Sequence, residues 1–289
     1  MSAETTPPHG HPMAGMDAYA PAEIARLVAT RGVAKANAEF VTTFVLGVLA
    51  GAFIALGAVL STIIATESTL GYGLTKWLAG IGFSLGLILV VVAGAELFTG
   101  NNLVVMSWVD RNITLTRLLR NWVVVYAGNF AGALSVVVMV YLAGWWTQGD
   151  NSVGGTALSI AAGKASLPFG ETFVRGILAN ALVCLAVWLA VGGRTVIDKV
   201  FAIIFPISAF VAAGFEHSVT NMYFVPMGLL LRDHAEVAKA AGLNGSDLAQ
   251  LDLGGFANNL AAATLGNIVG GAVLVGLVYW FVYLRPSKE

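Results

Sequence analysis

GAELFTGNN, at residues 94–102, interrupts one long apolar stretch of this sequence, and GFEHSVTN, at residues 214–221, interrupts another. Both follow the pattern G-x-E-x4-N at an offset of 120 positions, through Gly94, Glu96 and Asn101 and then Gly214, Glu216 and Asn221. Backbone that leaves helical geometry inside a lipid bilayer must be buried in protein or line water, because lipid offers it no hydrogen-bond partner. Both polar stretches are therefore predicted to lie inside the molecule, away from lipid.

The overall composition is that of a membrane protein. The 289-residue chain is 57% hydrophobic and 11% charged, with a mean hydropathy of +0.81, whereas a soluble domain keeps about a quarter of its residues charged. The net charge of −1 provides no basic surface for nucleic acid. The single cysteine, Cys184, excludes a disulfide framework.

Six segments are predicted to cross the bilayer, since a crossing needs about 20 apolar residues. Four are uninterrupted, at 40–65, 119–143, 172–192 and 259–284, and two contain the polar stretches, at 75–109 and 197–231. Ten of the 15 Lys and Arg residues fall on one side of the membrane: Arg26, Arg31, Lys35, Arg111, Arg117, Arg120, Arg194, Lys199, Arg285 and Lys288. Five fall on the other side: Lys76, Lys164, Arg175, Arg232 and Lys239. Because cytoplasmic loops carry the excess of positive charge, both termini are predicted to be cytoplasmic.

The chain divides into three segments. Residues 1–37 are predicted to form a cytoplasmic tail and, at 21–37, an amphipathic helix on the membrane surface. The tail lacks the apolar core of a signal peptide, and His9 and His11 are interpreted as tail residues, with metal binding as the alternative. Residues 38–285 form the six-helix domain, and residues 286–289 are a cytoplasmic tail.

An internal repeat extends beyond the two polar stretches. The third crossing matches the sixth at an offset of 138 positions, in the pattern N-x6-G-N-x2-G-x8-Y. The matched positions are Asn121, Gly128, Asn129, Gly132 and Tyr141, with Asn259, Gly266, Asn267, Gly270 and Tyr279. Three crossings per repeat is an odd number, so the second repeat must be inverted relative to the first. The predicted fold class is an all-α membrane protein with six transmembrane helices in two inverted three-helix repeats, in which helices 2 and 5 are broken.

Inverted-repeat proteins place their substrate path where the broken helices meet. Glu96 and Glu216 are expected to brace the breaks by accepting hydrogen bonds from loop N–H groups or from Asn101 and Asn221. The alternative is that the two carboxylates bind substrate. A carboxylate suits an anionic substrate poorly.

His217 is the only histidine in a predicted crossing, and an ionisable residue inside the membrane indicates function. A protonated imidazole there would stabilise an anion or pass it a proton. The alternatives are a packing histidine and a haem ligand, but no second intramembrane histidine exists for a bis-histidine site. Thr99 could donate its hydroxyl to an oxyanion. We predict no catalytic residue, no cofactor and no metal site.

The sequence resembles the formate/nitrite transporter family, and most of all its formate channels, over residues 38–285. The matching stretches are FSLGLIL (83–89), GAELFTG (94–100), NWVVVYAGNFAGAL (121–134), GILANALVCLAVW (176–188), GFEHSVTNM (214–222), PMGLLLRD (226–233) and LGNIVGG (265–271). The resemblance implies an aquaporin-like protomer, assembled as a homopentamer with one pore in each protomer.

The resemblance also implies roles for apolar residues that would otherwise be interpreted as core. Leu87 and Phe210 resemble the outer constriction of the family's pore, and Leu97 resembles the inner one. Phe83 lies where the family has an aromatic residue in the outer vestibule. Rings of apolar side chains in channels exclude hydrated ions, so these four are candidate gates.

Five polar residues match the family in the same way. Thr99 and His217 resemble the polar pair between the two constrictions. Lys164, placed in an outer loop, resembles the basic residue that draws anions toward the vestibule. Asn180 and Asn221 match positions with implied roles at the entrance and around the histidine.

Two residues depart from the family pattern, since Glu96 stands where the formate channels have Asp and Thr220 where many relatives have Ala. The expected function is a homopentameric channel in a bacterial-type inner membrane that passes small monovalent anions, formate first and nitrite second. Hydrosulfide is an alternative anion. Two other classes remain as alternatives: a pore for water or neutral solutes, and a membrane sensor or enzyme with His217 as a cofactor ligand.

Overall fold

The computed structural model of this protein describes residues 17–285, and these residues form helices joined by turns and loops. The first sixteen residues, which include His9 and His11, and the predicted tail at 286–289 lie outside the described residues. The α-helices are α1 Pro21–Asn37, α2 Phe40–Ala65, α3 Tyr72–Ile88, α4 Phe98–Asn101, α5 Val105–Val109, α6 Leu115–Leu142, α7 Ser152–Ala165, α8 Phe169–Gly192, α9 Val196–Ala212, α10 Ser218–Leu231, α11 Ala235–Ala241, α12 Leu253–Ile268 and α13 Val278–Tyr283. A π-helix at Leu89–Gly94 extends α3, and another at Val269–Leu277 joins α12 to α13.

The predicted fold class is confirmed. Within residues 17–285, five helical segments are long and apolar enough to cross a bilayer, at Phe40–Ala65, Tyr72–Gly94, Leu115–Leu142, Phe169–Gly192 and Leu253–Tyr283. The remaining crossing is the broken one, built from α9 and the shorter apolar helix α10. Large apolar side chains on these segments face outward, as at Val123 (67% exposed) and Phe205 (61% exposed). Such a surface fits lipid or a neighbouring subunit rather than water.

Both breaks begin with the same backbone geometry. At the first, the N–H of Ala95 donates to the carbonyl of Val90, and at the second the N–H of Phe215 donates to the carbonyl of Phe210. Each bond spans five residues, which widens the last helical turn. The glycine before the donor then has a positive φ, +85° at Gly94 and +70° at Gly214, a conformation that ends helices. The shared pattern G-x-E-x4-N thus marks the same turn twice.

The two halves also pack in the same way. Helix α2 crosses α6 where Gly47 meets Gly128, and α8 crosses α12 where Gly176 meets Gly266. A Cβ atom added to Gly128 would lie 3.0 Å from Gly47 Cα, and one added to Gly266 would lie 3.0 Å from Gly176 Cα. Small residues at these crossings let the helix backbones touch.

The structure extends the repeat by one helix per half. The predicted helix at 21–37 is confirmed as α1, and its buried face, including Ile24 and Val28, packs against the segment 103–106. Helix α7 has the corresponding position in the second half, because Lys35 and Lys164 make equivalent contacts at an offset of 129 positions. Lys164 therefore lies in the last turn of a helix, and its placement in a loop was wrong. The glycine-rich start of α7 weakens the helical signal in the sequence.

Candidate functional site

Two cavities approach the centre of the molecule from opposite repeats. The first, of about 380 Å³, is lined by Leu97 and Leu87 and is called here the Leu97 cavity. The second, of about 450 Å³, is lined by His217, Phe210 and Phe83 and is called the His217 cavity. Leu97 and His217 are equivalent in the repeat, so the same backbone position lines each cavity.

Positive charge predominates on the walls of both cavities. Three basic side chains and one carboxylate line the Leu97 cavity: Arg31, Lys35, Lys199 and Glu96. Three basic side chains and one carboxylate also line the His217 cavity: Lys76, Lys164, Arg175 and Glu216. Clefts lined by one sign of charge concentrate small ions of the opposite sign. The geometry therefore suits an anion.

The breaks meet through one hydrogen bond between the two repeats. Thr99 Oγ1, in the first turn of α4, lies 2.9 Å from His217 Nε2, at the start of α10. Thr99 is 0% exposed and His217 is 2% exposed. The neighbours of Thr99, Leu97 and Gly100, line the Leu97 cavity, whereas His217 lines the other. This polar pair thus lies at the boundary between the two cavities, and the predicted partners are brought together.

The hydrogen bonds of His217 assign its protons. Its Nδ1 accepts from the backbone N–H of Thr220 at 3.1 Å, which caps α10. A nitrogen that accepts carries no proton, so in this state the imidazole is neutral and its proton lies on Nε2. Nε2–H then donates to Thr99 Oγ1, and the Thr99 hydroxyl proton is free to point at another oxygen. The centre therefore offers a hydroxyl donor to a small oxyanion.

Aromatic and aliphatic side chains surround this pair. The Phe83 and Phe210 rings meet edge to face at 5.6 Å, and Phe210 lies 5.9 Å from the imidazole of His217. Leu87 lines the cavity of Leu97 and is not among the residues that line the cavity of Phe210. Leu87 lies one helical turn beyond Phe83 on α3, toward the break, and its pairing with Phe210 at an outer constriction stays a prediction.

Glu96 and Asn101 form a closed network with a lysine that the sequence analysis did not select. Glu96 Oε1 accepts from Lys35 Nζ at 2.8 Å, and Glu96 Oε2 accepts from Asn101 Nδ2 at 2.6 Å. Asn101 Nδ2 also donates to Asn121 Oδ1, and Asn121 Nδ2 donates to the carbonyl of Lys35. The carboxylate is thus paired with a cation and braced by an amide, which offsets the cost of its partial burial.

The second half repeats this network with Lys164. Glu216 Oε1 accepts from Lys164 Nζ at 2.8 Å, and Glu216 Oε2 accepts from Asn221 Nδ2 at 2.7 Å. Asn221 Nδ2 donates to Asn259 Oδ1, and Asn259 Nδ2 donates to the carbonyl of Lys164. Two bonds differ. Asn101 Oδ1 accepts from Lys35 Nζ, but Asn221 Oδ1 has no partner among residues 17–285. Asn259 Nδ2 also donates to Glu216 Oε2 at 3.3 Å, and no bond between Asn121 and Glu96 corresponds to it in the described part of the chain.

The repeated asparagines of α6 and α12 hold the backbone of the breaks. Asn129 Oδ1 accepts from Phe98 N–H, while its Nδ2 donates to the carbonyls of Glu96 and Gly47. Asn267 makes the equivalent three bonds, to Ser218 N–H and to the carbonyls of Glu216 and Gly176. Each amide caps a half-helix from another element and satisfies the freed carbonyl of the break.

Asn180 lies behind the polar pair rather than on a cavity wall. It is 0% exposed and does not line either cavity. Its Nδ2 donates to the carbonyl of Asn267 at 2.6 Å and to Asn102 Oδ1 at 2.9 Å, and it lies 3.3 Å from the carbonyl of Thr99. Asn180 therefore positions the backbone that carries Thr99.

Sequence reasoning missed Lys35 and the bracing role of Asn129 and Asn267. The signal for Lys35 was available, because the offset of 129 positions that relates it to Lys164 also relates Gly47 to Gly176. In the part of the chain described, no three His, Cys, Asp or Glu side chains form a group that could hold a metal ion.

A family model described as "Formate/nitrite transporter" matches residues 22–281. The chain belongs to this family. It is 42% identical over 277 residues to "Formate channel FocA" of Escherichia coli K12, covering 94% of this chain and 97% of that protein. It is 39% identical over 288 residues to "Probable formate transporter" of Methanothermobacter thermautotrophicus, covering 94% of this chain and 99% of that protein.

Solved structures of the formate/nitrite transporter family have the same fold. One, described as "Pentameric formate channel with formate bound", superposes with a TM-score of 0.76 at 38% identity and covers 85% of this chain and 98% of its own. Another, described as "FNT family ion channel", has the same TM-score at 27% identity and covers 90% of this chain. This protein is therefore an integral membrane protein with the channel fold of that family.

Proposed function

We propose that this protein is a channel for small monovalent anions, with formate as its main substrate and nitrite second. The observation that carries the proposal is the buried Thr99–His217 pair at the boundary of two positively lined cavities. Its relatives support the choice of formate, since they include a formate channel of Escherichia coli and a pentameric channel with formate bound. The protein performs no chemical conversion and uses no cofactor or metal ion.

Passage follows from the geometry of the two cavities. Lysines and arginines on the walls, Lys164 among them, raise the local concentration of anions. The anion sheds part of its water between Leu87 and Phe210 at the outer constriction and beside Leu97 at the inner one, where apolar walls exclude a full hydration shell. At the centre the Thr99 hydroxyl and, when it is protonated, His217 replace the lost water.

A proton transferred from the charged His217 ring to the anion would let the acid cross the apolar gates in its neutral form. Moving a bare charge through an apolar environment costs much more free energy than moving a neutral acid. We therefore expect formate uptake to vary between about pH 5 and pH 8, the range in which histidine commonly changes its charge. Uptake that is flat across this range would contradict proton transfer at His217.

The channel domain at 38–285 is proposed to lie in a bacterial-type inner membrane as a homopentamer, with both termini cytoplasmic. The basic residues on the Leu97 cavity, Arg31, Lys35 and Lys199, all belong to the set assigned to the cytoplasm. Those on the His217 cavity, Lys76, Lys164 and Arg175, all belong to the opposite set. This separation supports one orientation for the whole molecule.

Anion currents in planar bilayers test the function. Currents carried by formate, nitrite and hydrosulfide should be measured for the wild type and for His217→Phe, which keeps a ring of similar size but has no donor. We expect formate to carry the largest wild-type current and the variant to lose most of its selectivity. Osmotic swelling with no anion current would instead support a pore for water or neutral solutes.

A further inference from the structure

The hydroxyl of Thr220 is a second polar group at the imidazole of His217, and the function proposed above gives it no role. Thr220 lines the His217 cavity and is 4% exposed. Its Oγ1 lies 2.9 Å from His217 Nδ1, and its backbone N–H donates to the same nitrogen. A backbone N–H can only donate, whereas a hydroxyl can donate or accept. Two groups of Thr220 therefore face Nδ1: an N–H that can only donate a hydrogen bond to it, and a hydroxyl that can also accept one from it.

This difference between the N–H and the hydroxyl matters when the ring takes up a second proton. The neutral ring uses the lone pair of Nδ1 to accept from the Thr220 N–H. The charged ring carries a proton on both nitrogens, and Nδ1 becomes a donor. Among the described residues, Thr220 Oγ1 is the only oxygen within hydrogen-bond distance of Nδ1, while Nε2 keeps Thr99 Oγ1 as its partner. With the hydroxyl of Thr220 as the acceptor for Nδ1–H and that of Thr99 as the acceptor for Nε2–H, both N–H groups of the almost fully buried charged ring have a partner.

We propose that Thr220 is a positioning residue that allows His217 to carry its second proton, because its hydroxyl turns to accept from Nδ1 when the ring is charged. The backbone N–H of the same residue holds the neutral ring and loses its acceptor when Nδ1 is protonated, a cost that the bond from Nδ1–H to the hydroxyl offsets. The second proton enters from the bulk solution through the His217 cavity as hydronium, which leaves a neutral water molecule behind. This rests on the proposed function in one respect, that the charged ring is the form that stabilises the anion at the centre.

Other charges around the ring do not make the hydroxyl redundant. Lys164 from α7 is ion-paired with Glu216 of the break itself, and Lys76 from α3 and Arg175 from α8 line the same cavity. The basic side chains oppose a further positive charge, and the carboxylate of Glu216 is already engaged by Lys164. The facing residues of α4 and α9, Thr99 and Phe210, are not titratable in this range. A direct acceptor for Nδ1–H is therefore needed.

The test follows the ring itself, with nitrogen NMR of the full-length protein in lipid bilayers after labelling histidine with ¹⁵N. The signals of His217 are identified by their loss in His217→Phe. Protonation is then followed from pH 8 to pH 3 in the wild type, in Thr220→Val and in Thr220→Ser. Valine has the shape of threonine without the hydroxyl, and serine keeps the hydroxyl. Thr220→Ala serves if the valine variant does not fold.

We expect the protonation midpoint of Thr220→Val to fall by about one pH unit, a tenfold loss of proton affinity, because a buried N–H of the charged ring loses its acceptor. Thr220→Ser should keep the wild-type midpoint. Three results would overturn the proposal: a valine variant that titrates like the wild type, a serine variant that shifts as far as valine, or a wild-type ring that stays neutral down to pH 3.

The NMR readout is independent of what the channel conducts. A parallel measurement of formate current against pH should show the same order of midpoints in the three proteins. A wild type that conducts no formate but shows the expected order in the NMR titration would refute the proposed function and leave the role of Thr220 intact. The reverse result would refute the role of Thr220 alone.

Discussion

His217 Nε2 lies 2.9 Å from Thr99 Oγ1, although the two residues are 118 positions apart in the chain. The bond joins the two repeats at the boundary of their two cavities. The equivalents of these residues in the opposite repeat are Leu97 and Val219, and both are apolar. The symmetry of the backbone thus supports a site whose chemistry is asymmetric.

Removing the Thr99 hydroxyl should reduce formate conductance. Thr99→Val removes a hydroxyl at the boundary of the two cavities that is free to donate to an oxyanion when His217 is neutral. A hydrogen bond to a charged group contributes about 1.5–3 kcal/mol, so we expect conductance to fall by roughly tenfold or more. Uptake of ¹⁴C-formate into proteoliposomes measures this. Thr99→Ser, which keeps the hydroxyl, is the matched control, and valine conductance equal to that of serine would contradict the assignment.

Loss of either bracing asparagine should destabilise the protein to a similar degree. Asn129→Ala and Asn267→Ala each remove three hydrogen bonds to buried backbone at equivalent breaks. Each buried group left unpaired costs about 1–3 kcal/mol, so both variants should unfold several degrees lower in detergent micelles. Asn112→Ala, at an exposed position, should leave the melting temperature unchanged. A large effect of only one of the two asparagines would argue against equivalent breaks.

Substitutions of Lys164 and Glu216 should have non-additive effects on the free energy of unfolding. The side chains are 16% and 4% exposed, so Lys164→Met leaves a carboxylate buried without its cation. Breaking a buried pair costs about 3 kcal/mol. We expect the double variant Lys164→Met/Glu216→Gln to be more stable than Lys164→Met alone, as measured by the free energy of unfolding in micelles. Additive effects of the two substitutions would show that the pair is not coupled.

The same comparison of single and double variants at Lys35 and Glu96, in the other break, should give a smaller coupling energy. The Lys35 and Glu96 side chains are 32% and 15% exposed, and solvent screens a more exposed pair. Lys35→Met should therefore cost less stability than Lys164→Met. Equal costs would indicate that exposure does not determine the contribution of these pairs.

Alanine at either of two equivalent glycines should separate a pair of packed helices. A Cβ added to Gly132 would overlap the carbonyl oxygen of Val48, and one added to Gly270 would overlap that of Ile177. Overpacking costs about 1–3 kcal/mol, so both variants should be less stable in micelles. At Gly163, in α7, an added Cβ meets no atom within 4 Å, and Gly163→Ala should therefore keep the wild-type stability or raise it by up to about 1 kcal/mol through helix propensity. Wild-type stability of Gly132→Ala and Gly270→Ala would contradict the close crossings.

The sequence predicted elements whose physical cause is local or periodic. Apolar stretches long enough to cross a bilayer identified the six crossings, and the repeated G-x-E-x4-N pattern located both breaks. Helix α7 was not predicted, because its many small residues give no clear helical periodicity. Its equivalence to α1 is a tertiary feature, because Lys164 pairs with Glu216 as Lys35 pairs with Glu96.

The sequence by itself determined the fold class and the inverted repeat and selected His217 as a candidate functional residue, because hydropathy, spacing and the cost of an ionisable group in lipid can be evaluated without coordinates. Only the tertiary structure decided the lysine partners of the two glutamates and brought Thr99 to His217. These three contacts join residues 52 to 118 positions apart in the chain, and each gives a polar side chain that the fold buries a partner for its hydrogen bond or its charge. The neutral state of the imidazole instead follows from a local bond, in which Nδ1 accepts from the backbone N–H of Thr220 three residues on.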